Sequence, residues 1–302
     1  MGAWGDLRDV AKGWRWGRRT LVPRSASRHT PTRLRGQFPT AWARTPVAKA
    51  AREVLLSYGL RPLVRNETAP KVHGLENLEG LEGPVILVSN HTSHLDASLI
   101  MTSLPRKWRE KTATGAAADY FFDTWWRSIF TALVYNAFPI DRTGRGHGAT
   151  DASHMLHDGW SLIVFPEGTR SPDGWMQRFR TGAARLAVQH AVPVVPIAIR
   201  GAYAAMPKGR NWPRPGRLAI SVRFGRPLHP GEDEDHRSLT RRMFQAVAEL
   251  FDEDSTTWFE SVRRAERGET PAPSGPEGPR WLRAWEASRS LPRRGRRPAW
   301  RR

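Results

Sequence analysis

The chain has 302 residues, 39% of them hydrophobic, enough for one large or two small domains with a sizeable core. It contains no cysteine, which excludes disulfides, thiolate metal sites and a cysteine nucleophile. The net charge of +19 sits at the two ends: residues 1–71 carry 15 basic and 4 acidic side chains, residues 263–302 carry 12 and 4, and the stretch between carries 21 of each sign.

Residues 1–45 mix Arg, Pro, Gly and Ser without periodicity and are expected to form a poorly ordered basic arm containing several tryptophans. Over 46–60, Val47, Ala50, Ala51, Val54, Leu55 and Tyr58 recur at helical spacing, with Pro46 suited to the first turn and Gly59 to the end. The spacing predicts an amphipathic helix, packed on the domain or lying on a membrane, with a linker running to 69.

From 70 to 262 strand and helix alternate. "PVILVSN" (84–90) is a short continuous apolar run, the mark of a strand buried on both faces of a parallel sheet. A helix over 96–104 follows, then a strand over 111–117 and an amphipathic helix over 119–136 carrying Trp125, Trp126, Ile129 and Phe130. "SLIVFPEG" (161–168) predicts a second buried strand. Beyond it come a helix over 181–190, strands over 192–200 and 217–225, and a charged helix over 236–252. The alternation predicts a single α/β layered domain with a mostly parallel central sheet flanked by helices. Residues 263–302 read as a Pro/Arg/Trp-rich tail outside it.

The arms carry "GWRWGRR" (13–19), "RWLRAWEASR" (280–289) and "RRGRRPAWRR" (293–302). Arginine attracts phosphate and tryptophan settles at the headgroup level, so this composition suits an anionic membrane surface. Nucleic acid attracts the same residue types, and a solvated tail requires neither partner. No stretch reaches ~18 consecutive apolar residues, so no transmembrane helix is expected. The N-terminus lacks the apolar core of a signal peptide, and Asp6 breaks the myristoylation pattern.

The chemistry-bearing residues lie where apolar runs break. In "NHTSHLD" (90–96), His91 stands at the carboxyl end of a strand, where open α/β sheets place ligands. His91 and Asp96 would be ~17 Å apart on extended chain, too far to touch, but a turn into a helix brings them together. A carboxylate on one ring nitrogen fixes the imidazole tautomer and leaves the other nitrogen to take a proton from an alcohol. That is two parts of a triad, with the substrate supplying the nucleophile. His91 bonding local backbone, with Asp96 an ordinary first-turn helix residue, is the plainer alternative. A metal-dependent hydrolase using His91, His94 and Asp96 is another, although no further dense His/Asp cluster supplies ligands. His94 has no assigned role; pointing to solvent or packing locally is its expected fate.

In "FPEGTRSPDG" (165–174), Pro166 and Gly168 shape a tight turn and Arg170 offers a guanidinium fork suited to phosphate. "FPIDRTGRG" (138–146) sets Asp141 and Arg142 before a Gly-rich loop. Each alone is also compatible with an ordinary polar turn.

Together, "NHTSHLD" (90–96), "FPIDR" (138–142), "FPEGTRS" (165–171) and "VVPIAIRG" (194–201) resemble the four motifs of the glycerolipid acyltransferase family, whose bacterial members include 1-acylglycerol-3-phosphate acyltransferases. Their order and spacing also fit, and "FRTGAARLA" (179–187) resembles the segment that follows the third motif. The resemblance covers about 70–230. It implies that His91 is the general base on the acceptor hydroxyl and that Asp96 orients it. It also implies that Arg142, Glu167, Gly168, Thr169 and Arg170 hold the acceptor's phosphate and glycerol end, with Glu167 bonding a hydroxyl or ordering Arg170. The strand around Val195 and Ile197 would line an acyl or thioester channel. Acyl-CoA or acyl carrier protein is the implied co-substrate and a lysophospholipid the implied acceptor, with glycerol-3-phosphate or a glycolipid as alternatives. No metal and no cofactor is required. Attachment is expected to be peripheral, on the cytoplasmic face of an anionic membrane; a nucleic-acid partner would leave the four motifs without a role.

Overall fold

Seven short strands form the sheet of the computed structural model, which describes residues 38–122, 124–140 and 148–291, apart from the side chains of 119, 120, 148 and 149. They are β1 (Thr68–His73), β2 (Ile86–Ser89), β3 (Thr112–Ala117), β4 (Phe138–Ile140), β5 (Ser161–Val164), β6 (Val194–Arg200) and β7 (Leu218–Phe224), in the order β1-β7-β6-β2-β5-β3-β4. Every neighbouring pair is parallel except β6 and β7. β1 and β7 therefore run against the other five strands.

The apolar runs become buried strands because alternate residues serve two cores. Leu87 packs with Leu99, Ile100, Val195 and Ile197 on one face of the sheet, while Ile86 and Val88 pack with Leu162, Met243 and Val247 on the other. The first face is covered by Leu56, just after α1 (Pro46–Val54), and by α2 (Arg61–Glu67), α3 (Leu95–Ser103) and α4 (Trp125–Tyr135). The second is covered by α5 (Gly148–His157), α6 (Gly182–His190) and α7 (His236–Ser255). The expected class, an α/β domain with a mostly parallel sheet between helices, is the observed one.

Four expectations are adjusted. The helix expected over 46–60 does not stop at Gly59; it passes through a π turn, Leu55–Leu60, into α2. Pro62, which has no N–H to donate, follows directly on the π turn, where the helical hydrogen-bond ladder changes register. The helix expected over 119–136 divides into a single turn, Ala118–Phe121, and α4. β1 gave no apolar signal because it is an edge strand, where Pro70 and Lys71 are tolerated. Packed structure also continues past 262, through α8 (Trp258–Glu266) and α9 (Arg280–Ala287), so part of the expected tail is folded against the domain. The arm expected over 1–45 lies outside the described residues up to position 37.

Two buried charges fasten α1. Arg52 is 2% exposed and donates from Nε to Leu133 O at 2.7 Å, and from Nη2 to Ala43 O. Leu133 O is among the last four carbonyls of α4, which have no partner within their own helix, so Arg52 joins the N-terminal helix to α4. Burial, aided by Arg44, lowers the guanidinium pKa to about 10. Glu53 receives both arms of the buried Arg109, Nε at 3.0 Å and Nη2 at 2.5 Å. Arg52→Met should destabilise the protein by about 2 kcal/mol, because two carbonyls lose a buried donor while one buried charge is relieved; the urea unfolding midpoint measures it.

Candidate active site

The chain leaves β2 for β3, β4 and β5 on one side of it, then crosses to β6 on the other. The carboxyl end of β2 is thus the switch point of the sheet, where a crevice opens between diverging connections. The segments after β2, β5 and β6 meet there. Asn90 joins two of them: its amide donates to Ile199 O at 2.9 Å and accepts from Ile199 N–H at 2.8 Å. Fully buried, it continues the pairing of β2 with β6 through its side chain where the β2 backbone turns away.

The turn brings His91 and Asp96 into contact, His91 Nδ1 lying 2.9 Å from Asp96 Oδ2. The same oxygen accepts from the N–H groups of Thr92 at 2.7 Å and Ser93 at 2.9 Å. Asp96, in the first turn of α3, is fully buried, whereas the His91 side chain keeps 19% of its surface exposed. Asp96 accepts, so Nδ1 carries the proton and Nε2 presents its lone pair. Among the described residues no protein group hydrogen-bonds Nε2. The imidazole lies flat against Phe165, with ring centroids 4.2 Å apart and planes 21° from parallel. Phe165 opens the third motif, yet the sequence reading passed over it because an aromatic at a strand end is ordinarily core.

Glu167 is 4% exposed and grips the main chain, accepting from His91 N–H at 2.7 Å and from Gln177 N–H at 3.1 Å. Burial pushes its carboxyl up to about 8 against the pull of these two donors and with the help of the Asp96 and Asp173 charges. The geometry makes it a brace between the first and third motifs. Gly168 has φ +74, and a Cβ there would stand 2.8 Å from Arg180 Nε, so the turn requires glycine. Thr169 is exposed and Arg170 half-buried. Arg142 lies outside the described residues. Val195 and Ile197, expected to line a channel, are fully buried in the core; the end of the strand, Ile199 to Gly201, lines a cavity instead.

His94 packs edge-on against Phe121, with centroids 5.8 Å apart, rather than facing solvent. Burial first, then the charges of Arg170, His91 and Arg127, lowers its pKa to about 4. Arg170 and Arg127 therefore set a positive field beside His91. Arg127 went unnoticed in the sequence because it sits within the Trp-rich helix. Among the described residues no three His, Asp or Glu side chains are grouped as metal ligands, so the metal alternative finds no cluster here. A histidine kept neutral by folding takes up its proton on unfolding, so its contribution to stability is present above pH 6.5 and is lost as pH falls towards 4. His94→Gln should therefore lose less stability than the native protein between those values, as read by urea midpoints across the range.

Residues 69–200 match the family model described as Acyltransferase. A protein named 1-acyl-sn-glycerol-3-phosphate acyltransferase from Chlamydomonas reinhardtii is 32% identical over 53% of this chain and 48% of its own length. The alpha form of the same-named protein from Bos taurus is 30% identical over 57% of this chain and 60% of its own. The chain spans about half the length of these curated relatives. The crystal structure of the 1-acyl-sn-glycerophosphate acyltransferase PlsC from Thermotoga maritima superposes with TM-score 0.57 at 25% identity, covering 72% of this chain and 88% of that one. With four motifs in order and the first and third joined at the end of β2, residues 69–200 are similar to the glycerolipid acyltransferases.

Proposed function

We propose that the protein is an O-acyltransferase that moves a fatty acyl group from the thioester of acyl-CoA or acyl carrier protein to the free hydroxyl of lysophosphatidic acid, giving phosphatidic acid. The observation that carries this reading is the 2.9 Å contact between His91 Nδ1 and a buried Asp96, on an imidazole whose Nε2 has no hydrogen-bond partner among the described residues. Nε2 takes the proton of the acceptor hydroxyl as its oxygen attacks the thioester carbonyl. The tetrahedral intermediate collapses, the C–S bond breaks, and the imidazolium returns the proton to the departing thiolate. Asp96 stabilises the imidazolium without giving up its own bonds to Thr92 and Ser93 N–H. The acceptor, not the enzyme, supplies the nucleophile.

The field of Arg170 and Arg127 at His94 supports an acceptor bearing phosphate next to its hydroxyl. Arg142, Gly168 and Thr169 would complete that end of the site. The names of the relatives support lysophosphatidic acid in particular.

A membrane-bound substrate also fits the outer surface. α4 buries Ser128, Thr131 and Ala132 yet leaves Trp125, Trp126, Ile129 and Phe130 between 38% and 55% exposed. α1, joined to α4 through Arg52, leaves Val47 80% exposed, and the π turn that follows leaves Tyr58 82% exposed. Val134 and Tyr135 also pack inward, but the outer face is apolar and aromatic, which is matched to an apolar surround. Among the described residues no helix is long and apolar enough to cross a bilayer. The exposed aromatics support peripheral attachment, with the basic arms adding attraction to anionic lipid on the cytoplasmic face.

Purified protein incubated with acyl-CoA and a panel of lysophospholipids should release thiol, with no cysteine of its own as background. His91→Ala should lower kcat by about 10²–10⁴-fold with the fold intact, and Arg170→Ala should chiefly raise the acceptor KM. Undiminished turnover in His91→Ala would end the mechanism. Sedimentation with anionic vesicles should show binding that weakens as salt rises and falls further in Trp126→Ser/Phe130→Ser; binding indifferent to both would remove the interfacial surface.

A further inference from the structure

The C-terminal segment meets the active-site loop chiefly around Arg283. Arg283, on α9, donates from Nε to Asp173 Oδ2 at 2.7 Å. Its other two nitrogens donate to Pro276 O at 2.8 Å and Ser274 O at 2.7 Å, which ties α9 to the chain that leads into it. Its backbone carbonyl accepts from Trp175 Nε1 at 2.9 Å. Side chain and main chain of a single residue thus hold both ends of the short 173–175 stretch. Next to this contact Met176 N–H donates to Pro273 O at 3.1 Å, and Gly275 packs against the Trp175 ring.

From that loop two hydrogen-bond routes lead to the catalytic base. Asp173 Oδ1 accepts from Ser171 Oγ at 3.1 Å, and Ser171 N–H donates to His91 O at 2.7 Å. On the other route Gln177 N–H, one residue past Met176, donates to Glu167, whose second oxygen takes His91 N–H at 2.7 Å. The N–H and the C=O of His91 are therefore both held by the 165–177 loop, and that loop is held from outside by 273–283. Burial opposes ionisation of Asp173, but the hydrogen bonds from Arg283, Trp175 N–H and Ser171 hold its carboxyl below the usual carboxylate range. It is a charged partner for the guanidinium at neutral pH. The same C-terminal segment walls a cavity of about 600 Å³ that reaches Thr92, Ile199 and Gly201.

We propose that Arg283, outside the stretch that matches the family, is a positioning residue of the active site. Through Asp173 and Trp175 it fixes the loop that sets the main chain of His91. The inference rests on the acyltransferase reading above and adds to it a segment that composition alone assigned to a tail.

The test pairs amide hydrogen exchange with steady-state kinetics on the full chain, using acyl-CoA and lysophosphatidic acid. In Arg283→Ala the amides of 171–177 and 91–93 should exchange faster. In the same variant kcat should fall about 10- to 100-fold, the cost of a small misplacement of a catalytic group, while both KM values move by less than about threefold. Arg283→Lys, which keeps one donor for Asp173 but not the fork, should recover part of kcat. Asp173→Asn breaks the same pair from the other side, and the double variant should be no slower than the slower single one. Native kcat in Arg283→Ala, multiplying effects in the double variant, or unchanged exchange at 91–93 would each overturn the proposal. Should Arg283→Ala not fold, Asp173→Asn carries the same readings. If the native protein itself transfers no acyl group, the acyltransferase reading fails, whereas exchange at 91–93 still reports whether Arg283 holds the His91 main chain.

Discussion

Asp96 is a carboxylate with no access to water, and such a group is tolerated only where donors surround it. Three converge on Oδ2, the N–H groups of Thr92 and Ser93 and the Nδ1–H of His91, while the buried Oδ1 has no hydrogen-bond partner among the described residues. Satisfying one buried charge therefore bends the chain after β2, starts α3 and aims the imidazole in a single arrangement. Phe165 stacks on the ring and Glu167 takes the His91 N–H, so the residue is constrained by side chain and main chain at once. In the proposed role as base, an imidazole held this way needs little reorganisation when an acceptor arrives.

The electrostatics of the crevice divide by depth. Acidic groups lie beneath, with Asp96 and Glu167 at 0% and 4% exposure, each occupied by backbone donors. Arginine charge lies nearer the surface, where Arg170 and Arg127 act on His94 strongly enough, together with burial, to keep it neutral. In the proposed transfer an anionic acceptor would meet the arginine charge first, and Asp96 below would stabilise the imidazolium, while burial favours the neutral form of Glu167. His94, first considered as a metal ligand, instead fills space between the two against Phe121.

The periphery follows the same economy of contacts. α4 places small residues against the domain and aromatics outward, and Arg52 fixes α1 beside it through carbonyls that α4 cannot satisfy itself. At the opposite end of the chain α9 turns Trp281 and Trp285 outward, 70% and 57% exposed, while Arg283 faces the domain. One helix thus offers two faces with different partners.

The amino-acid sequence by itself determined the alternation of strands and helices, because runs such as "VILVS" are apolar enough to be buried on both faces whatever surrounds them. It also marked His91 and Asp96, since a turn of that length brings them within reach, and the motif set around them carried the family. Tertiary structure decided what periodicity cannot express. β1 is held by its pairing with β7 and not by its own pattern, and Glu167 works on backbone 76 residues away. "RWLRAWEASR" looks alike whether it meets lipid, water or the domain; only the approach of Asp173 across 110 residues of chain gives Arg283 its partner. Local composition fixes which surfaces are apolar or charged. Which of them meet depends on long-range packing, and that is where the Glu167 brace, the Arg283 contact and the cavity lined by Thr92 and Ile199 arise.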